Sequence, residues 1–366
     1  MNFECLKEKL EEIVGKTEKV SGKNTTLPVL KCLLFMVDGK NLTIRSTNLD
    51  LGLEMSIPVK SAQNGLAAVP AGVIQNFLSN IPNGNVLKIE SKESFLSIKS
   101  GNYSTIIKLQ SHEDFPVLPS VDKKNSIKIK IRDLVNGLKS VWYSCAVSSI
   151  KPELSSIYIY PQGSDLIFAA TDSFRLSEKT IKTEKNNEFS PILIPFKNAV
   201  DMIKVFEGLS DELELCWNQN QLAAYYDGLY LTSRIVDGSF PDYKQIIPKE
   251  FVTEAVVLKQ DLADILRLSN IFSDKFNKIK IKVSPSAKKF LFESKNDDVG
   301  EVSSNLGGAL SGEDVEVGFN HKYVSDCLQS ISADSVSFQF KGPHSPLVVK
   351  GVGDKSFTYL VMPMSN

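Results

Sequence analysis

The sequence is poor in the residues that most often announce chemistry. Among 366 residues there are five Cys and three His. Cys5, Cys32, Cys145, Cys216 and Cys327 are scattered, odd in number and free of any C-x-x-C pair, which argues against a disulfide framework and a zinc site and fits reduced thiols in a cytosolic protein. His112, His321 and His344 lack metal-ligand spacing and read as surface or capping residues, so neither a metal nor a cofactor is expected. The longest apolar run, Leu33 to Val37, is far too short to cross a bilayer. The opening MNFECLKEKLEE is too charged for a secretory signal. A cytoplasmic protein with no membrane partner is therefore expected. No sign of charge dominates: 42 Lys and Arg stand against 43 Asp and Glu, so bulk charge does not mark a nucleic-acid binder, and only the local distribution is left to decide. G-x-G-x-x-G, H-E-x-x-H and G-x-S-x-G are all missing. Val14-Gly15-Lys16-Thr17 has the ending of a phosphate loop, but Leu10 occupies the position of its first glycine and the segment reads as amphipathic helix. Asp172 beside Arg175 has no accompanying nucleophile and reads as an ion pair or turn cap. A chain without a reactive constellation reads as a scaffold, not an enzyme.

What is present is repetition. The apolar fraction of 42% is that of a globular chain, and the length suits two or three domains. The segments VPAGVIQNFLSNI (69–81), IPFKNAVDMIKVF (194–206) and FNHKYVSDCLQSI (319–331) start at equal intervals of 125 residues. Ile74, Ala199 and Val324 align, as do Leu78, Ile203 and Leu328, and Ile81, Phe206 and Ile331. The i, i+4, i+7 spacing marks one helix face. An earlier helix recurs as the stripes Leu6/Leu10/Ile13/Val14, Ile131/Leu134/Val135/Leu138 and Leu258/Leu262/Ile265/Leu266. Period-2 runs between and after these helices read as strands: 42–45, 86–89, 157–160, 166–169, 213–215, 279–283, 290–292 and 336–338. Thr47-Asn48, Thr171-Asp172 and Lys295-Asn296 mark one turn three times, and Phe115-Pro116 and Phe240-Pro241 close the first two copies. Such a period is too long for a solenoid and implies three similar α+β domains, each of two helices packed on antiparallel sheets. Boundaries near Val121–Asn125 and Lys249–Thr253 give domains 1–122, 123–249 and 250–366.

Two motifs suggest binding. The run Tyr359-Leu-Val-Met-Pro-Met364 reads as an edge strand completing the third domain, with methionines suited to an adaptable pocket. The segment Phe240–Pro248 reads as an interdomain linker and pocket wall. The helices carry many Lys and Arg, but acids offset them, and on charge alone these are solvated faces.

Taken together, Leu27-Pro-Val-Leu30, Thr171-Asp-Ser-Phe-Arg-Leu176, Val236-Asp-Gly-Ser-Phe-Pro-Asp-Tyr243, Val317-Gly-Phe-Asn320 with Tyr323, and Tyr359–Met364 resemble the bacterial sliding clamps, the beta subunits of DNA polymerase III. The resemblance spans the chain. It implies a head-to-tail homodimer forming a ring of six similar domains, with helices lining the hole, that encircles duplex DNA without regard to sequence and tethers the replicative polymerase. The implied partners are the DNA polymerase III alpha subunit, a clamp loader that opens the ring, and other polymerases and repair proteins carrying clamp-binding peptides. No catalytic residue is implied. Where the family has Thr-Asp-Gly-His-Arg-Leu, Ser173 and Phe174 replace Gly and His, and the turn loses glycine's backbone freedom. The family's basic loop position falls at Asn24, and its basic-apolar terminus is Ser365-Asn366 here.

The resemblance also implies sites. For DNA these are Lys23, Asn24, Arg132, Lys139, Lys197 and Lys204. For a partner peptide they are Leu154, Thr171, Leu176, Pro241, Ile246, Asn320, Tyr323, Met362, Pro363 and Met364. For the dimer interface they are Ile271 and Phe272 against Ile107. Two other readings share the repeat: a three-domain adaptor that binds proteins without nucleic acid, and an enzyme with a catalytic cluster in an interdomain cleft.

Overall fold

The computed structural model describes residues 1–22, 27–148, 150–183 and 189–364. Six α-helices occur among them: α1 Lys7–Glu18, α2 Ala71–Ser79, α3 Ile131–Val141, α4 Phe196–Phe206, α5 Lys259–Ile271 and α6 His321–Asp326. They fall two to a repeat, where the apolar stripes put them. The last is the shortest and passes directly into a 3-10 turn, Cys327–Ser330. Leu10, Ile13 and Val14 of α1 and Leu262 and Leu266 of α5 are buried as the stripes require. Leu6 and Leu258 are not helical: each ends a strand just ahead of its helix and is exposed. Those strands, Asn2–Leu6 and Thr253–Leu258, together with Ser126–Lys130, open the three repeats.

The fold is α+β, with three two-helix domains on antiparallel sheets, yet the compact units do not coincide with the repeats. One unit comprises Met1–Val135 and Lys197–Ile235; the other comprises Asn136–Phe196 and Val236–Asn366. The reason lies in the sheets. In the first unit, a five-stranded sheet runs in the order Lys60–Gln63, Asn2–Leu6, Val86–Lys92, Phe95–Ser100, Tyr103–Lys108. An eight-stranded sheet beside it is shared by two repeats. Its first-repeat half ends on Leu51–Pro58, which pairs antiparallel with Leu229–Arg234 of the second repeat, with Leu53 opposite Leu231.

The second unit repeats this plan. A nine-stranded sheet joins second-repeat strand Arg175–Lys182 to third-repeat strand Phe357–Val361, with Leu176 opposite Leu360. A four-stranded sheet has the order Gly300–Asn305, Lys289–Asn296, Lys278–Ser284, Val315–Asn320. The C-terminal strand is therefore not an edge strand. Phe357–Val361 pairs on one side with Arg175–Lys182 and on the other with Leu347–Gly351, and it is the seam between repeats.

Alternation decides which side chains enter the core. In Lys278–Ser284 the residues Ile279, Ile281 and Val283 are buried while the lysines between them are not. Facing them, Phe290, Phe292 and Phe338 form edge-on contacts with centroids 5.7 and 6.4 Å apart across Phe338. Each such pair adds about 0.5–1.5 kcal/mol beyond area burial. Tyr143 brings a polar handle into the same core, where its hydroxyl meets Ser330 Oγ at 2.9 Å.

Two helical glycines have opposite surroundings. A Cβ on Gly137 of α3 would sit 2.6 Å from the Phe168 ring, because the helix lies directly on strand Asp165–Thr171. A Cβ on Gly72 of α2 would meet nothing within 4 Å. Gly→Ala normally favours a helix by about 1 kcal/mol. Urea unfolding should therefore find Gly72→Ala more stable than the parent, and Gly137→Ala less stable by about 1–3 kcal/mol, the usual cost of overpacking. Equal effects at the two positions would contradict this packing.

Candidate functional site

The second unit holds the whole candidate peptide site. Its centre is the turn 171–175. The Thr171 hydroxyl donates to Arg175 C=O at 2.7 Å and accepts from Ser173 N–H at 3.1 Å. Asp172 Oδ1 accepts from the N–H groups of Phe174 and Arg175, both at 2.9 Å. These bonds hold Ser173 at φ +77°, the left-handed region that glycine adopts freely. The turn thus holds a serine in a conformation that favours glycine.

Arg175 ties this turn to α6. Its guanidinium contacts Asp172 Oδ2 at 3.0 Å and Asp326 Oδ2 at 2.6 Å, and lies 4.4 Å over the Tyr323 ring. The residue is only 8% exposed, so removing either acid would leave a buried charge poorly compensated. Burial alone would lower its pKa; the nearby Tyr359, Asp326 and Asp172 outweigh burial and raise it. The pairing at Asp172–Arg175 is both the ion pair and the turn cap that the spacing suggests. Asn320 caps α6, accepting from Tyr323 N–H at 3.2 Å, and the Tyr323 carbonyl accepts from Tyr359 Oη at 2.8 Å.

The chain end returns to this place. Met362 N–H donates to Phe174 C=O, and Met364 N–H to Gly318 C=O, both at 2.8 Å. The tail is thereby sewn between the turn and the strand leading to α6. Among the candidate peptide residues, Leu154, Thr171 and Leu176 are buried. Asn320, Tyr323, Met362, Pro363 and Met364 are half-buried, and Pro241 and Ile246 are exposed. Leu176 lies in a cluster with Tyr243 and Leu360, packed by Phe240 and Ile247 of the linker. The linker is further fixed where Tyr243 Oη donates to Glu178; burial first, then that carboxylate, push the phenol pKa well up. Leu176 is thus buried beneath the linker, while the tail methionines are half-buried and Ile246 is exposed. Phe174, absent from the candidate set, is 61% exposed beside the Met362 bond. The substitution of a large apolar residue in a polar turn is the signal that marks it.

The basic candidates divide differently. Lys23 and Asn24 lie outside the described residues. Arg132 and Lys139 stand seven residues apart on α3, and Lys197 and Lys204 seven apart on α4; all four are exposed. Seven residues is two helical turns, so each pair shares a face. Lys204 is bonded to Asp201 at 2.8 Å. Two other lysines serve structure. Lys16 Nζ donates to the Val205 carbonyl at 2.8 Å and Lys19 Nζ to that of Lys204 at 3.3 Å, capping the C-terminus of α4, where cations are favoured.

The interface candidates do not all face outward. Ile271 is exposed at the end of α5 and Phe272 half-buried. A Cβ on Gly300, first residue of an edge strand, would sit 3.6 Å from the Phe272 ring. Ile107, by contrast, is 3% exposed and faces the core of the five-stranded sheet, while Ile106 is 67% exposed. Period-2 alternation on strand Tyr103–Lys108 assigns the outward position to Ile106.

The scarce chemistry is held inside. Burial raises the thiol pKa of Cys32 to about 11 and of Cys5 to about 12, so neither is a ready thiolate. His321 is not a surface residue: it is buried at the start of α6, with Nε2 2.6 Å from Leu266 C=O, and burial lowers its pKa. Among the described residues no group of three or more His, Cys, Asp or Glu is arranged to hold a metal, and no helix is long and apolar enough to cross a membrane.

Three family models match the chain in order. They are the N-terminal, central and C-terminal domains of the DNA polymerase III beta subunit, over residues 1–119, 128–242 and 244–365. The beta sliding clamp of Synechococcus elongatus is 27% identical over 376 residues, covering 100% of this chain and 99% of that one. The beta sliding clamp of Staphylococcus aureus is 22% identical, with 96% of each chain covered. Among solved structures, the DNA polymerase III beta subunit of Thermotoga maritima superposes with a TM-score of 0.93 at 22% identity, over 100% of this chain and 99% of that one. That of Pseudomonas aeruginosa gives 0.92 at 23% identity, with both chains fully covered.

The strained turn supplies a direct test. A left-handed backbone costs an L-residue about 1–2 kcal/mol, part of which glycine returns as unfolded-state entropy. Ser173→Gly should raise stability by about 0.5–1 kcal/mol in chemical denaturation. A loss of stability would show that the serine side chain, not the turn's hydrogen bonds, holds the conformation.

Proposed function

The chain belongs to the DNA polymerase III beta subunit family, and from that premise we propose that it works as a sliding clamp. It forms a head-to-tail homodimeric ring around duplex DNA and tethers the replicative polymerase for processive synthesis. It is not an enzyme, carries no cofactor and acts in the cytoplasm. Its three clamp domains run over 1–122, 123–249 and 250–366.

The observation that carries this reading is an unfinished series of junctions. The strand starting at Leu51 in the first repeat meets the strand starting at Leu229 in the second. The equivalent strand starting at Arg175 in the second repeat meets the one starting at Phe357 in the third. By the same offset, the third repeat offers Gly300–Asn305 and the first offers Tyr103–Lys108. Each of these is one of the two outer strands of its sheet among the described residues. An unpaired edge strand is a template for another strand, and a second copy of the chain supplies it from the opposite end. Heterologous contacts of this kind close into rings. Ile106 on one edge, and Ile271 with Phe272 beside the other, supply apolar contact; Ile106 takes the role expected of Ile107.

Inside such a ring, Arg132, Lys139, Lys197 and Lys204 meet phosphates, and Lys23 and Asn24, which lie outside the described residues, are the remaining DNA candidates. Backbone contacts of this kind do not depend on sequence. The Lys204–Asp201 pair keeps the grip modest, which suits a ring that must slide. The peptide site takes a short apolar segment from the polymerase alpha subunit, from the clamp loader, or from other polymerases and repair proteins. Ile246, Met362 and Met364 contact its anchors, Leu154, Thr171 and Leu176 form the floor with Pro241 and Pro363 at the rim, and Asn320 and Tyr323 are the candidates to hydrogen-bond its polar end.

Sedimentation tests the ring contact. The parent chain should be a dimer of about twice 40.5 kDa. Ile106→Asp, and separately Ile271→Ala combined with Phe272→Ala, should give folded monomers with a conserved melting profile. Ile107→Ala should lose stability through a core cavity without the same selective loss of dimer. Dimers persisting at nanomolar concentration in both surface variants would move the interface elsewhere.

A further inference from the structure

The helix that carries Lys197 and Lys204 borrows part of its C-terminal cap from another repeat. The last four carbonyls of α4 belong to Ile203, Lys204, Val205 and Phe206, which a helix leaves without partners inside itself. The chain just beyond takes two of them: Glu207 N–H donates to Ile203 C=O at 2.9 Å and Leu209 N–H to Phe206 C=O at 3.0 Å. The other two are met from the first repeat. Lys16 Nζ donates to Val205 C=O at 2.8 Å and to Glu207 C=O at 3.3 Å, and Lys19 Nζ donates to Lys204 C=O at 3.3 Å. Lys16 stands in the last turn of α1 and Lys19 is its C-cap, so the cations at the end of one helix reach the carbonyls at the end of another.

The second helix of the first repeat is built otherwise. α2 contains no Lys or Arg and closes its own end. Asn80 Nδ2 and Ser79 Oγ donate to Asn76 C=O at 2.7 and 3.1 Å, and the N–H groups of Asn80 and Ile81 donate to the carbonyls of Phe77 and Leu78, both at 3.2 Å. The lysine cap is therefore not a requirement of the repeat. It occurs on a helix that carries candidate DNA contacts. A helix C-terminus holds a partial charge of about −0.5. Left bare, that charge would lie on the carbonyl of Lys204 itself, whose ammonium is already paired with Asp201 at 2.8 Å. A phosphate approaching Lys204 would then meet one ammonium beside a carboxylate and a negative helix end, at separations that salt screens only in part.

We propose that Lys16 and Lys19 are positioning residues of the DNA grip. They make no phosphate contact of their own; they neutralise the carbonyl end of α4, so that Lys204 presents net positive charge to the duplex. This inference rests on the DNA-contact reading above, and the test separates the two.

Binding of the full chain to a short linear duplex is followed by fluorescence anisotropy across a salt series. Each phosphate contact contributes about 0.9 to the slope of log K against log salt. Lys197→Met serves the DNA reading: it should weaken binding and flatten the slope by about 0.9. Lys16→Met combined with Lys19→Met should keep the dimer and weaken binding about three- to tenfold at low salt, with the slope nearly unchanged. Lys16→Arg combined with Lys19→Arg keeps charge and donors and should bind like the parent. A Met pair that melts earlier but binds DNA like the parent would make the cap a matter of stability alone and overturn the proposal. A slope flattened by about 1.8 in that pair would mean direct phosphate contact, which overturns the proposal and leaves the DNA reading standing. If the parent does not bind, or Lys197→Met binds like the parent with its slope intact, the DNA reading falls and the inference with it. If the Met pair does not fold, Lys19→Met alone decides: it removes the longer bond and should weaken binding about twofold at constant slope, and parental affinity would overturn the proposal.

Discussion

The structure depends on one constraint: a β-sheet edge must be paired or protected, and no repeat of this chain closes its own sheets. The eight-stranded and nine-stranded sheets each draw strands from two successive repeats. The backbone ladders at Leu51–Pro58 with Leu229–Arg234, and at Arg175–Lys182 with Phe357–Val361, therefore decide what counts as a compact body. This is why the two units cut the second repeat between them rather than following the sequence period. It also accounts for the tail. A C-terminal strand that forms a seam between repeats carries Met362–Met364 to the turn at 171–175, so these candidate peptide residues meet only because that ladder forms.

Much of this was legible in the residues. The equal spacing of three segments and the recurring apolar stripe ahead of each located the six helices, and the Thr47 and Thr171 dipeptides marked turns that share a hydrogen-bond pattern down to the individual donor. The third dipeptide, Lys295-Asn296, keeps only part of the pattern: Asn296 Oδ1 accepts from Asp298 N–H at 3.0 Å, while lysine replaces the threonine and the Asn296 amide turns to Ser273 C=O at 2.7 Å. Periodicity failed at junctions between elements. Leu6 and Leu258 continue a helical stripe in sequence but end strands, because an apolar residue at that spacing fits either state. The C-terminal run resembled an edge strand because alternation reports which faces are buried and is silent on which edges are paired.

The orientation of the candidate site residues was not legible in the sequence. A resemblance carries position without orientation, and orientation separates Ile106 from Ile107, one residue apart on opposite faces. Burial likewise separates Leu154 and Leu176, which are buried, from Ile246, which is exposed. Phe174 stood in the sequence as a departure from the family pattern, and the structure shows it 61% exposed. Charge was the least legible property. Lys16 and Lys19 look like Arg132 and Lys197 in composition, yet the first two cap α4 through its carbonyls and are committed to structure.

These strands meet in a topological claim: the protein holds DNA by surrounding it, with little need for tight contact. The most direct measurement loads the chain onto a nicked circular duplex with a clamp loader, removes free protein by gel filtration, and then cuts half of the sample with a single-site restriction enzyme. The account expects protein to remain on the circles and to leave the linear molecules, at the same salt and with no dependence on sequence. Equal retention on circles and linear DNA, or none on circles, would contradict it.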